Sequence, residues 1–281
     1  MTSPAPLTHP PLTQPLRDLG AWTAHFHSAE IPVQAQTAEA LEALRANEDG
    51  VDANSLGEMI SGDPLMTLKL LAHSSAHRTS RVVTDTETVT AALVMMGISP
   101  FFRAFGAQPT VEERLHDVPE AFDGLARTLR RAHRSANFAL AFAVHRMDHD
   151  SAAIHAAALL HAFAEMLLWC HAPALALRIR EQQATDPTLR SSAAQREVLG
   201  IELADLQQSL MKAWGLPELL IRITDDRHAE HPSVRSVALG VRLARHTAEG
   251  WDNAAIPDDV NDIATLLNLS QAATLQLLHD I

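Results

Sequence analysis

The segment from residue 156 to residue 171, AAALLHAFAEMLLWCH, places a histidine inside an otherwise apolar run. His161 is followed directly by Ala162 and, four positions on, by Glu165. An imidazole can ligate a divalent metal, but a metal ion that acts on phosphate also needs anionic oxygen ligands. Ala162 offers no such oxygen. The rest of a metal site would therefore have to come from elsewhere in the chain.

Two further groups have the right residue types for metal ligation. His73 and His77 are four residues apart, so they share one face of a helix, but no third ligand accompanies them in the sequence. The segment ITDDRHAEHP at 223–232 lies around a helix end and a loop, where solvent exposure explains its polar residues more simply than ligation does. Its candidate ligands are Asp225, Asp226, His228 and His231.

A nucleophile or a nucleotide-binding loop has little support in this sequence. Cys170 is the only cysteine, which excludes an intrachain disulfide and is typical of a small buried residue in a cytoplasmic protein. One Cys beside one His in a helix does not give the geometry that a thiol nucleophile needs. No Walker or dinucleotide glycine pattern occurs in the sequence.

Composition and charge restrict the partners. The chain has 281 residues, of which 47% are hydrophobic and 20% charged, with a formal net charge of −12. Such a field repels nucleic acid, so we expect no nucleic-acid partner. The one dense basic stretch, ARTLRRAHR at 126–134, is interpreted as a solvated helix face.

No targeting or membrane segment is predicted. The Pro-rich N-terminus lacks a basic region followed by an apolar core, so residues 1–24 are expected to be a disordered leader rather than a secretory signal. The longest apolar run, within 151–172, contains three His and Glu165, and we expect no membrane span. A cytoplasmic location follows from these expectations.

The remaining patterns predict an all-α fold, because helix-forming residues recur throughout and no strand alternation is found. Asp63-Pro64 is typical of a helix start, and Ser55 with Glu58 is the spacing of a capping box. One helix is predicted over 125–147 and another over Ser151 to His171. The predicted subdomains are 25–115 and 116–281, divided at a polar segment.

Several short motifs follow one another between about residue 25 and residue 250. They are IPV at 31–33, ISGDPLMT at 60–67, KLLAHS at 69–74, AALVMMG at 91–97, LLH at 159–161, EVLG at 197–200 and WGLP at 214–217. Each is weak alone, but their order and spacing resemble those of the HDOD (HD-related output domain) family of bacterial signalling proteins. The wider HD superfamily uses a His, a His-Asp pair and a later Asp as metal ligands.

The resemblance implies a degenerate ligand set. His133 lies on the helix that would carry the first ligand, and His161 occupies the place of the His in the His-Asp pair. Each of these two histidines has an alternative interpretation as a core residue whose ring is held by a hydrogen-bond partner. Ala162 replaces the aspartate. The other family ligand positions align with Leu203, Asp226-Arg227 and Leu243-Ala244-Arg245. Three of these four departures remove a ligand outright, and Arg245 puts a fixed cation where a metal would lie.

By this resemblance, the second subdomain is a degenerate HD fold on which the first packs, and the protein is expected to be a non-catalytic signal-transduction module. It would act through contacts with other signalling proteins and use no metal or other cofactor. Two alternatives remain open: a metal-dependent phosphodiesterase or phosphohydrolase with an altered site, and a sensor that binds an anion or nucleotide. The enzyme would need His133, His161, Glu165 and one of Asp225 and Asp226 to converge. In the sensor, Arg245 and the retained histidines would line the same vestigial pocket.

Overall fold

The computed structural model describes residues 10–77 and 87–281, which confirm the predicted all-α class: the described residues form α-helices and no strand. The helices are α1 (Leu19–Ser28), α2 (Ala35–Arg45), α3 (Ala53–Ser61), α4 (Pro64–Ala76), α5 (Val89–Met96), α6 (Ile98–Ala104), α7 (Val111–Leu115), α8 (Pro119–His145), α9 (Ser151–Leu160), α10 (Phe163–His171), α11 (Pro173–Thr185), α12 (Ser191–Leu199), α13 (Leu203–Ala213), α14 (Glu218–Ile223), α15 (Pro232–His246), α16 (Ile256–Leu267) and α17 (Gln271–His279). Two short 3-10 helices, Glu48–Gly50 and Asp226–His228, complete the set.

Two helix starts in the first third of the chain depend on aspartate caps. Asp63 precedes α4 as predicted, and its carboxylate accepts hydrogen bonds from the amides of Leu65 and Met66. The capping box predicted from Ser55 and Glu58 is wrong, because α3 already begins at Ala53 and Asp52 caps it. An aspartate three residues before Ser55 takes the capping position first.

The predicted leader is also partly wrong. Residues 1–9 lie outside the described residues. From Leu19 onward the chain is helical, and Trp22 and Phe26 on α1 are fully buried, so residues 19–24 are not disordered. The apolar side chains of this helix stabilise it through packing, which a reading based on proline content does not capture.

The helix predicted from Ser151 to His171 is broken. α9 ends at Leu160, and the chain turns through His161 and Ala162 before α10 begins. Ala is a strong helix former, so the sequence carries no local signal for this break. Contrary to expectation, Ser151–His171 does have the length and hydropathy of a membrane span. Of its most apolar 18-residue window, however, 78% is buried inside the protein, as in the core helices of soluble proteins.

The chain forms two compact units, and α8 contributes to both. Unit 1 consists of the residues up to Thr128 together with Ala162–Leu216, and unit 2 consists of Leu129–His161 and Pro217–Ile281. The subdomains predicted at 25–115 and 116–281 do not follow this division, because 162–216 belongs with the N-terminal helices.

Unit 1 is held together by contacts between its early and late segments. α1 packs on α13, and α10 packs on both α4 and α13. The buried Trp22 indole donates from Nε1 to the carbonyl of Leu199, at 3.2 Å. A short parallel bridge joins Val33 to Thr110. Residues far apart in sequence therefore build this core.

Unit 2 has a core of buried side chains from the second half of α8 and from α15, α16 and α17. At Gly240 on α15 an added Cβ would lie 2.9 Å from the carbonyl oxygen of Ser135, so only a glycine permits this close approach to α8. The buried residues of this core are Phe138, Phe142, Leu239, Leu243, Ala244, Ile256, Val260, Ile263, Leu267 and Leu278.

Candidate functional site

His161 lies in the turn after α9, and its imidazole is bound to a carboxylate. The Nε2 atom of His161 is 3.0 Å from Oδ1 of Asp226, which begins the short 3-10 helix of unit 2. The His161 side chain is 17% exposed and that of Asp226 is 59% exposed, so the pair sits at the edge of unit 2. The structure thus brings together two of the residues predicted for the vestigial pocket.

Asp225 is engaged elsewhere. Its two carboxylate oxygens accept from Nε and Nη2 of Arg227 at 2.8 and 2.9 Å. This fork of charge-assisted hydrogen bonds holds the pKa of the Asp225 carboxyl below its usual value. Consecutive aspartates therefore have different partners, and only Asp226 contacts His161.

A second histidine, which the sequence reading missed, lies near His133. His155 on α9 has its pKa lowered first by burial and then by the neighbouring charge of His133 on α8. Both rings belong to unit 2. His155 lies in the same apolar run as His161, SAAIHAAALLH, and a second histidine in that run could have identified it as a candidate. The alanines around it, however, are typical of any helix.

Glu165 has a defined role within unit 1. Its Oε1 accepts a hydrogen bond from the hydroxyl of the buried Thr128, at 2.9 Å, and that hydroxyl also lies 3.1 Å from the carbonyl of Gly124. Glu165 therefore connects α10 to α8. The predicted place of Glu165 in the vestigial pocket stays a prediction.

Arg245 is exposed near the end of α15, whereas Leu243 and Ala244 beside it are buried. The arginine that enters an ionic network is instead Arg242, one turn earlier. Its Nε lies 2.7 Å from Oδ1 of Asp259, and its Nη2 donates to Asp262 at 2.5 Å. The predicted position of Arg245 in the vestigial pocket stays a prediction.

The remaining polar candidates have structural roles. His231 caps α15, since its Nδ1 accepts from the amide of Ser233, and the His228 ring lies 3.5 Å from the carboxylate of Glu230 at the surface. Cys170 is buried, and burial raises the pKa of its thiol to about 12. A thiol of that pKa is protonated near neutral pH and is a poor nucleophile.

The donor set does not fit a divalent metal of the HD type. Within residues 10–77 and 87–281, no three His, Cys, Asp or Glu side chains are grouped so that they could hold one ion. Ala162, where the family pattern has an aspartate, has only a methyl side chain. The Nε2 atom through which His161 would ligate already contacts Asp226.

Comparison with known proteins identifies the family. The model of the HDOD domain matches residues 31–230, and the chain therefore belongs to the HDOD domain family. This confirms the resemblance drawn from the short motifs. Among curated proteins, none matches the chain significantly.

Solved structures share the fold. The chain is similar to the MmoQ response regulator from Methylococcus capsulatus, with a TM-score of 0.68 and 21% identity over 90% of this chain and 99% of that one. It is also similar to a virulence factor from Campylobacter jejuni, with a TM-score of 0.60 and 17% identity over 93% and 97% of the two chains. At these identities the likeness concerns the fold alone.

Proposed function

We propose that this chain is a non-catalytic module of bacterial signal transduction that acts in the cytoplasm through contacts with other signalling proteins. The observation that carries the proposal is the contact made by His161, the histidine at the position of an HD-superfamily metal ligand. In this chain His161 contacts Asp226 and is followed by Ala162. A metal ion that activates water on phosphate needs an open coordination position and oxygen ligands held around it.

Membership of the HDOD family supports a role in signalling, and so does the similarity of the fold to MmoQ, a response regulator. The surface of unit 1 supports a role in protein contacts. Val94 and Met95, adjacent on α5, are 65% and 55% exposed, which is a high exposure for two neighbouring large apolar side chains. Apolar side chains at a surface are the usual core of a protein interface.

The non-catalytic part is tested with the full chain, stripped of metal and then supplied with Mn²⁺ or Fe²⁺. The assay follows hydrolysis of bis(p-nitrophenyl) phosphate, a general phosphodiester. We expect the protein with metal to hydrolyse the substrate no faster than metal-containing buffer without protein does. The His161→Ala variant should give the same background rate. Metal-dependent turnover that disappears in His161→Ala would contradict the proposal and support the phosphodiesterase alternative.

The protein-contact part is tested by placing a photocrosslinking residue at position 95 of the full chain in bacterial cells. A matched control carries it at Thr185, an exposed polar position of the same unit. We expect a discrete adduct with another protein at position 95 and none at 185. Equal labelling at both positions, or none at 95, would remove α5 as the contact surface.

A further inference from the structure

Two histidines at the end of α4 stack on each other in unit 1. The ring centroids of His73 and His77 are 4.1 Å apart and the ring planes are inclined by 27°. His73 also packs edge-on against Phe105, with a centroid distance of 5.0 Å. The pair therefore has one ring supported by the protein and one exposed ring beside it.

A backbone contact fixes the orientation of the outer ring. Nδ1 of His77 lies 2.9 Å from the carbonyl oxygen of His73. A carbonyl oxygen only accepts, so Nδ1 carries the proton, and in the neutral ring Nε2 keeps its lone pair. Histidines that ligate metals commonly donate their other ring N–H to a backbone carbonyl in this way.

The surroundings of the inner ring, His73, favour its neutral form. Burial lowers the pKa of His73, and the charge of the nearby His77 lowers it further. Because a metal binds imidazole only after the proton has left, a lowered pKa reduces the competition from protons near neutral pH.

We propose that His73 and His77 form a two-imidazole site for a late first-row divalent transition metal. Imidazole nitrogen suits Cu²⁺, Ni²⁺ and Zn²⁺, with Cu²⁺ bound most tightly, whereas Mn²⁺ and Mg²⁺ prefer oxygen ligands. Two adjacent ligands, each about 2.1 Å from the ion, bring the Nε2 atoms to about 3 Å from each other. From the stacked arrangement, ligation requires the His73 ring to turn about its χ angles until its Nε2 reaches the ion held by His77. Water completes the coordination.

The site is separate from the family ligand position, and its residues are in unit 1, whereas His161 and Asp226 are in unit 2. The sequence contains a second pair at the same spacing, His145 and His149. His145 is the last residue of α8, however, and His149 lies in the following turn, so these two rings do not share a helix face. This pair provides a matched control.

The experiment uses calorimetric titration of the metal-free full chain with CuCl₂, together with electron paramagnetic resonance of the Cu²⁺ complex. We expect one equivalent to bind with nitrogen hyperfine structure from two imidazoles. In His77→Gln the affinity should fall about tenfold or more, since even loss of a supporting residue around a metal weakens binding by about 10–100-fold. The double variant His145→Gln/His149→Gln should bind like the wild type.

His77 is exposed at the helix end, so its replacement leaves the packing of α4 intact, and far-UV circular dichroism checks this. An unchanged affinity in His77→Gln would overturn the proposal. So would weak, non-saturating binding shared by all variants, which is general binding to surface histidines. A loss of the Cu²⁺ equivalent in His161→Gln but not in His77→Gln would assign the ion to the family position instead, and this too would overturn it.

Discussion

At the scale of single residues, His161 and Asp226 show what a sequence can and cannot specify. Both types suit ligation, and both were predicted as site residues. Their contact at 3.0 Å joins positions 65 apart in the chain, and helix periodicity carries no information on such pairings. His155 was missed for the same reason, because its neighbour His133 comes from a different helix.

The position of the α15 arginines illustrates the same limit. A shift of one helical turn separates Arg245, which is exposed, from Arg242, which is paired with two aspartates. The family pattern aligns Arg245 with a ligand position. A sequence pattern places a side chain on a helix, but the facing helix determines whether that side chain finds a partner.

Asp259 on α16 is predicted to be the most sensitive polar residue of unit 2. Its side chain is only 2% exposed. Oδ2 accepts from His246 Nδ1 at 2.6 Å, and Oδ1 forms an ion pair with Nε of Arg242 at 2.7 Å. In Asp259→Asn, two charge-assisted contacts are weakened in a buried place, and we expect a loss of about 2–3 kcal/mol in the free energy of unfolding. Urea denaturation of the full chain measures it.

Asp262 provides the matched control, because it pairs with the same arginine but is 41% exposed. In Asp262→Asn the loss should stay under about 1 kcal/mol, as for other ion pairs open to solvent. Equal losses in the two variants would show that the burial of Asp259 adds nothing to the network.

At the scale of elements, helix starts with a strong local signal were predictable and helix breaks were not. Asp63-Pro64 combines a capping carboxylate with a proline at the first helical position, and α4 begins there. The turn at His161 and Ala162 has no such signal. At this turn the packing partners change: α9 packs on α14 and α15, whereas α10 packs on α4 and α13.

The cap at α4 is expected to stabilise more than a helix end alone. Asp63 is fully buried, and besides the amides of Leu65 and Met66 it accepts from the amide of Gln34 at 2.8 Å. In Asp63→Ala these buried N–H groups lose their acceptor. Since each such group costs about 1–3 kcal/mol, we expect the free energy of unfolding to fall by about 2–4 kcal/mol.

The comparison variant is Asp52→Ala at the start of α3. Asp52 caps its helix by accepting from the amides of Asn54 and Ser55, but it is exposed, so water replaces the lost contacts. Its loss should be clearly smaller than that of Asp63→Ala in the same urea titration. A reversed order would mean that the link to Gln34 contributes nothing to unit 1.

At the scale of the whole molecule, the sequence predicted the class of fold and the family, but not the path of the chain through its units. A polar segment near residue 115 has the composition of a boundary, yet α7 and the start of α8 lie in and after it and belong to unit 1. Contacts such as Trp22 to Leu199 connect residues 177 positions apart, and only the folded structure reveals them.

This path predicts how fragments of the chain behave. A fragment of residues 116–281 contains α10 and α13 without α1 and α4, the helices on which they pack, so the apolar faces of α10 and α13 stay exposed. The fragment keeps all of unit 2 and its core, so the missing contacts concern unit 1 alone. In a Trp251→Phe background, we expect the fluorescence of Trp169 and Trp214, which belong to unit 1, to show no cooperative change in urea.

Co-expression with a fragment of residues 1–115 is the control, because it supplies the missing faces without restoring the covalent link. We expect the two fragments to copurify and to regain a cooperative transition. If Trp169 and Trp214 report a cooperative transition in residues 116–281 alone, the C-terminal segment is a self-sufficient subdomain, and the division predicted from the polar segment describes the protein better than its compact units do. The outcome decides which boundary governs folding, since a cooperative transition requires that a fragment contain its own core.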